Sequence, residues 1–381
     1  MKKILVTGAN GFIGKNLISV LNEIEDIQIL RIERKTPKEE IEKYILEADF
    51  IYHLAGINRP KTEEEFYKGN LGFTELIINI LIENNKNTPI LLISSTQADL
   101  DNDYGKSKKM AEEAILEYSL KTKTKVFIYR LPNVFGKWCK SNYNSAIATF
   151  CNNIANNEDV WIKDENIELT LVYIDDVVRY LVNNLDIENI NSGYMSINIQ
   201  YKKTLGYIID LLKSFKESRE NLIVPNMDDG FIKKLYSTYL SYLPRNEFSY
   251  PLIMHKDHRG SFTEFIKGPE MGQVSVNISK PGITKGNHWH HTKNEKFLVV
   301  SGEGVIKFRK IDEEKVIEYK VSGKKLEVVD IPVGYTHSII NTGKTDMVTI
   351  MWCNESFNPE DPDTIALEIQ SSIKEVKDVF M

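Results

Sequence analysis

The stretch Gly282–Gly302, GITKGNHWHHTKNEKFLVVSG, constrains what the chain can fold into more than any other. His288 and His290 stand two apart. In a β-strand residues i and i+2 face one side, so the two imidazoles converge. Glu295 follows five residues later, where a carboxylate on the next strand can close on the same point. Downstream, His337 in IPVGYTHSIIN follows a Pro-Val-Gly turn and offers a fourth ligand. Three imidazoles and a carboxylate suit a borderline divalent cation such as zinc, iron or manganese. Six of the seven histidines lie beyond residue 250, which favours a built site over scattered loop histidines.

At 381 residues the chain has room for two domains, and 42% hydrophobic residues are enough to pack both cores. A net charge of −6 argues against nucleic acid or an anionic membrane surface as partner. No apolar run approaches the roughly 20 residues of a membrane span. The start, MKKILVTGANG, is too short an apolar stretch for a signal peptide. Cys139, Cys151 and Cys353 show no CxxC spacing, which fits a reducing cytoplasm. The expected molecule is therefore cytoplasmic.

The N-terminal half opens as strand, tight turn, helix. Lys2–Thr7 is an apolar run, Gly8-Ala-Asn10-Gly11-Phe12-Ile13-Gly14 is the turn, and a helical pattern runs to Ile24. Gly8 permits the turn, Gly11 lets backbone approach a pyrophosphate, and Gly14 lets the helix pack on the strand. The helix N-terminus then presents amide donors to phosphate. A second strand ends at Glu33-Arg34. Glu33 is placed for a ribose of NAD, whereas Arg34, with Arg31 nearby, is placed for a 2′-phosphate, and the residues alone leave the two balanced. A third strand ends in His53-Leu54-Ala55-Gly56, whose small residues let an adenosine lie against backbone. A long helix is expected over 62–84, then a strand ending in Ser94-Ser95-Thr96. Tyr104 and Lys108 follow at i and i+4 on one helix face. A nearby ammonium favours a phenolate, so the pair is a candidate acid–base unit. Helical patterns over 204–215 and 231–242 precede a boundary near residue 245.

The glycine turn, the serine-bearing strand and Tyr104-x-x-x-Lys108 resemble the extended short-chain dehydrogenase/reductase family, whose members mostly act on nucleotide sugars. That resemblance implies a Rossmann-type doubly wound parallel sheet over 1–245. It implies Tyr104 and Lys108 as catalytic, with Ser95 as their partner and Thr96 as the alternative. Gly8, Asn10, Gly11, Phe12, Ile13, Gly14, Arg34, Leu54, Ala55, Gly56, Tyr104 and Lys108 would hold the cofactor, and Ser95 and Asn133 the substrate. Tyr173-Ile-Asp175-Asp176 resembles the family's later strand-to-helix segment. The C-terminal motifs, Gly282…His288-x-His290…Glu295…Gly302 and Pro332-x-Gly334-x-x-His337-x-x-x-Asn341, resemble the cupins. Leu326 stands where the second motif usually has glycine, and Gly323 is close enough to serve that turn. This implies an all-β barrel over 246–381, with His288, His290, Glu295 and His337 on the metal. Asp257-His258-Arg259-Gly260-Ser-Phe-Thr-Glu264 resembles the entry strand of cupin-type deoxysugar 3,5-epimerases; His258 is a candidate base there, and His291 lies beside the metal pair. The two halves together resemble bifunctional bacterial enzymes of capsular polysaccharide assembly. That implies NADPH, zinc, a UDP-2-acetamido-2,6-dideoxy-4-hexulose substrate, C3 epimerisation followed by C4 reduction, and a homodimer. A reductase fused to a non-catalytic cupin, or to a metal-dependent oxygenase or isomerase, is the alternative.

Overall fold

A computed structural model describes Met1–Gln370; residues 371–381, the end of the expected second domain, lie outside the described residues. The chain divides into two compact units. One is Met1–Ser214 with Gly230–Arg245, the other Phe215–Asp229 with the chain from Asn246 onward. A single cut near 245 therefore misses the excursion 215–229. There Val224 N–H donates to Lys267 O at 2.8 Å and Lys267 N–H to Leu222 O at 2.9 Å, which ties that segment to the later unit's strands. Nothing in the local periodicity of 215–229 announces a partner more than 40 residues away.

The first unit alternates strand and helix: β1 (Lys2–Thr7), α1 (Phe12–Leu21), β2 (Ile27–Ile32), α2 (Lys38–Glu47), β3 (Phe50–His53), α3 (Phe73–Glu83), β4 (Ile90–Ser95), α4 (Asp103–Thr122) and β5 (Val126–Leu131). With Gly193–Met195 these strands form a parallel sheet in the order β2-β1-β3-β4-β5-(193–195). Period-two alternation divides the apolar residues between its faces. Ile4 and Val6 join Leu17, Leu21 and Val177 on one side. Leu5 joins Ile45, Ile77 and Ile115 on the other. Each such burial contributes about 1.5–3 kcal/mol, so a charge at Leu5 would break the sheet–helix contact. The helix expected over 62–84 is not uniform. It passes through a π-helical turn at Tyr67–Gly72 before α3. Such turns re-aim side chains, and this one contains the buried Asn70.

The second unit is antiparallel β. Strands β6 (Met254–Asp257), β7 (Gly260–Gly268), β8 (Gly272–Ser279), β9 (Thr284–Trp289), β10 (Glu295–Ser301), β11 (Glu303–Lys310), β12 (Val316–Ser322), β13 (Val328–Ile331), β14 (Tyr335–Asn341), β15 (Met347–Cys353) and β16 (Ile365–Ala366) follow in order. They form two sheets, β6-β7-β8-β15-β10-β13 and β12-β11-β14-β9-β16, the arrangement expected of a cupin. Phe297, Val299, Ile306, Phe308, Ile331, Ile339 and Met347 fill the space between them. No helix among the described residues is long and apolar enough to cross a membrane.

Candidate active sites

The glycine turn after β1 is built for close approach. Gly8 has φ +65°, and a Cβ there would stand 2.9 Å from Ala55 N and 3.0 Å from Leu54 C. A Cβ at Gly14 would stand 2.4 Å from Gly8 O, so helix α1 rests directly on the turn. Gly11 caps α1 without a side-chain hydrogen bond, and no acid lies in the first turn. Gly11 N donates to Gly8 O at 2.8 Å, and the next amides, of Phe12 and Ile13, face no competing anion, which suits a phosphate. Asn10 and Gly11 are exposed, and Leu54 and Ala55 are half-buried against the turn. Glu33 and Arg34, both exposed, follow β2 at the same sheet edge, where Ile32 O accepts from Ala9 N.

His53 closes β3 but does not face this edge as a free group. Thr74 Oγ1 donates to Asn70 O, so it accepts from His53 Nε2–H at 2.9 Å. Thr7 Oγ1 accepts from Ala55 N–H and donates to His53 Nδ1 at 2.8 Å. Burial, and then the nearby Lys108 charge, push this imidazole down to about 3. It is a neutral strut between β1, β3 and α3.

Tyr104, Lys108 and Ser95 meet at the end of β4. Asn102 caps α4 by accepting from Gly105 N at 2.8 Å, which sets Tyr104 in the first turn. Ser95 lies beside the Tyr104 phenol, and its hydroxyl pulls the phenol's pKa down. Thr96 is exposed and begins a short 3₁₀ turn. Burial raises the Tyr104 pKa and outweighs the Ser95 contact, which lowers it. The expectation that an ammonium draws Tyr104 toward phenolate is therefore not met. The phenol keeps its proton at neutral pH and is suited to give one. Lys108 is buried and donates to Ile93 O at 3.2 Å. Burial lowers its pKa to about 8, with Glu112 acting in the opposite direction.

Asn70 escaped sequence reading, because only the π-helical turn brings it here. It accepts from Ile57 N at 2.8 Å and donates to Ser107 Oγ at 2.9 Å. A Cβ on Gly56 would stand 2.9 Å from Lys108 Nζ and 3.0 Å from Asn70 Oδ1, so the three are neighbours. Asn133 is exposed and its amide donates to Thr170 O at 3.3 Å. Asp175 pairs with Lys137, and the buried Asp176 pairs with Lys234 at 2.5 Å. Both acids are engaged in packing the unit.

In the second unit β9, β10 and β14 bring the four proposed ligands together. His288 and His337 are cross-strand partners, next to a bulge where Asn287 has φ +59°. The ligand atoms of His288, His290, Glu295 and His337 all lie within 4.8 Å of one another. Glu295 Oε2 is 3.2 Å from His337 Nε2 and 3.5 Å from His290 Nε2. Those three atoms are buried and lack a hydrogen-bond partner in the protein. Orphaned buried acceptors facing one another are costly unless something occupies the space between them. A divalent cation fits this donor set. Burial, then the His337 and His290 charges, lowers His288 to about 4, which keeps it neutral and able to ligate. Burial opposes ionisation of Glu295, but contact with His290 and His337 outweighs it and holds the carboxyl at about 2.

A cavity of about 820 Å³ opens over the cluster, walled by Lys285, Glu264 and Asn277 on one side and Phe297, Met351 and Phe357 on another. His258 is exposed in the β6–β7 turn and does not line it. His291 stacks edge-on against Trp289 at 4.4 Å, away from the four. Asp363, 73 residues from His290, was not legible in the sequence. Its carbonyl accepts from His290 Nδ1 at 2.5 Å, which leaves Nε2 as the free acceptor.

Residues 4–199 match the NAD dependent epimerase/dehydratase family, and residues 255–365 match a polysaccharide biosynthesis C-terminal domain. Among characterised proteins, the chain is 43% identical over 367 residues to a UDP-2-acetamido-2,6-beta-L-arabino-hexul-4-ose reductase of Pseudomonas aeruginosa, spanning 96% of this chain and 99% of that one. Among solved structures, capsular polysaccharide assembling protein CapF from Staphylococcus aureus is similar at TM-score 0.90 and 57% identity, over 96% of this chain and 99% of that one. CapF with the inhibitor 3-isopropenyl-tropolone is similar at TM-score 0.86 and 53% identity, with the same coverage.

Proposed function

The chain belongs to the NAD dependent epimerase/dehydratase family, and on that premise we propose that it acts twice on one nucleotide sugar. The C-terminal unit inverts C3 of a UDP-2-acetamido-2,6-dideoxy-4-hexulose, and the N-terminal unit reduces the C4 ketone. The product is UDP-N-acetyl-6-deoxytalosamine, which leads to UDP-N-acetyl-L-fucosamine for capsular polysaccharide. The observation that carries this reading is the pairing, in one chain, of the Ser95–Tyr104–Lys108 trio with a separate His/Glu cluster under a cavity of about 820 Å³. The Pseudomonas relative's name, a 4-ulose reductase, supports the reductase half.

Tyr104 gives its proton to the C4 oxygen, Ser95 shares that oxygen, and Lys108 holds the cofactor ribose. A bound nicotinamide supplies the hydride. In the cupin, His288, His290, Glu295 and His337 hold one divalent cation, which we assign as zinc. Bound there, it supplies a Lewis acid for a substrate oxygen. The tropolone inhibitor of CapF supports a cation, since tropolones chelate one through paired oxygens. The reading includes a homodimer working in the cytoplasm. Its direct test is product identification by NMR after incubation with the 4-keto sugar and NADPH. One alcohol inverted at C3 is expected, and an alcohol with C3 retained rejects the epimerase half.

Arg34 makes the cofactor NADPH rather than NADH in this reading. Arg34→Ala should weaken NADPH by about 10–150-fold, the equivalent of a charge-assisted hydrogen bond of roughly 1.5–3 kcal/mol, and barely change NADH. Fluorescence titration with both cofactors checks it. Equal losses would make Glu33 the deciding residue and NAD the cofactor.

A further inference from the structure

The segment that follows the last long strand is a strap across the proposed ligands. Ala366 pairs with His288 and Ile365 with Trp289. Leu367 N donates to Asn287 O at 2.9 Å. Thr336, the residue before His337, donates its hydroxyl to Leu367 O. At the strap's far end the buried Arg309 gives Nε to Ile369 O at 2.8 Å and an Nη to Glu368 O at 3.2 Å. At its near end stands Asp363. Its carbonyl accepts from His290 Nδ1. One carboxylate oxygen accepts from His291 N at 2.9 Å, the other from Thr292 N and Lys293 N, both at 2.8 Å. Lys293 Nζ completes the clasp on Pro362 O at 2.7 Å.

Asp363 therefore grips the β9–β10 connection with its side chain while its own carbonyl orients the ring of His290. Its φ of +40° is left-handed, a region that Asp, Asn and Gly enter more readily than other residues. We propose that Asp363 is a positioning residue of the metal centre: its carboxylate locks the His290 loop onto the strap, and the lock fixes the His290 tautomer and aim. The proposal rests on the metal reading given above. Partners of a ligating histidine typically change metal affinity by about 10–100-fold when removed.

Two substitutions keep the left-handed backbone acceptable. Asp363→Gly removes every acceptor of the side chain, and Asp363→Asn keeps one oxygen. Full-length proteins are stripped of metal and titrated with Zn²⁺ against a chromogenic chelator. The expected result is a 10–100-fold loss of Zn²⁺ affinity for Asp363→Gly, a smaller loss for Asp363→Asn, and unchanged NADPH affinity in both. Wild-type Zn²⁺ affinity in Asp363→Gly overturns the proposal. So does a lower melting temperature of the metal-free protein with unchanged Zn²⁺ affinity, because that pattern is merely structural. Failure of the wild-type protein to bind Zn²⁺ defeats the metal reading itself, a result separable from either variant's behaviour.

Discussion

Tyr104→Phe is expected to lower the proposed NADPH-dependent reduction of the C4 ketone by about 10²–10⁴, the usual cost of losing a positioned general acid, and to leave NADPH binding nearly unchanged. The reason lies in what surrounds the phenol. Its pKa is raised by burial, with the neighbouring Ser95 hydroxyl pulling the other way. It is therefore a protonated donor at the moment an alkoxide forms. Phenylalanine fills the same half-buried place against Phe66, whose ring lies 5.6 Å away, so the fold of α4 survives. Lys108 stays on Ile93 O, so the cofactor side is untouched. The check is single-turnover NADPH oxidation with the C3-inverted keto sugar supplied. Near-normal oxidation would remove Tyr104 from the chemistry.

Glu295→Gln should have the second large effect. Glu295 is the one negative charge in a cluster that otherwise offers only imidazoles. Glutamine keeps its size at the start of β10 but leaves a neutral oxygen for the cation. Metal content per chain should fall well below one. A cation present at 1,000 times its Kd stabilises the folded state by about 4 kcal/mol, and that stabilisation should disappear with it. Reduction of a sugar already inverted at C3 should persist, since Tyr104 and Lys108 belong to the other unit. Metal analysis and thermal melts with and without chelator check this. Full occupancy with an unchanged melt would take Glu295 out of the ligand set, and the same result for His337→Ala would remove His337.

The parts of both sites that read directly from the chain are those encoded in short spacings. Gly8-x-x-Gly11-x-x-Gly14, Tyr104-x-x-x-Lys108 and His288-x-His290 each depend on one turn, one helix face or one strand face. The parts that did not read are long-range. Asp363 reaches His290 across 73 residues, and Asp176 reaches Lys234 across 58. Asn70 arrives only because a π-helical turn re-aims it, and no period in 62–84 signals that turn. Ser95 rather than Thr96 lies beside Tyr104 because β4 runs through both serines, with Thr96 already in the next turn. The segment 215–229 goes with the later unit through Leu222 and Val224, two apolar residues that look like any loop anchor. A fragment starting at 246 would cut that tie, so tests of the cupin belong on the full chain.

In the proposed function the cupin acts first, and it alone acts on C3. A C3 proton is acidic only while the neighbouring C4 ketone can take up the charge, so reduction must follow inversion. Full-length Tyr104→Phe protein, given the 4-keto UDP-sugar in D₂O without NADPH, tests this by NMR. Deuterium should enter C3, and Glu295→Gln should abolish its entry. If C3 keeps its hydrogen in metal-loaded Tyr104→Phe and wild-type proteins alike, while wild-type with NADPH still reduces the ketone, the cupin is a structural clip and not an epimerase.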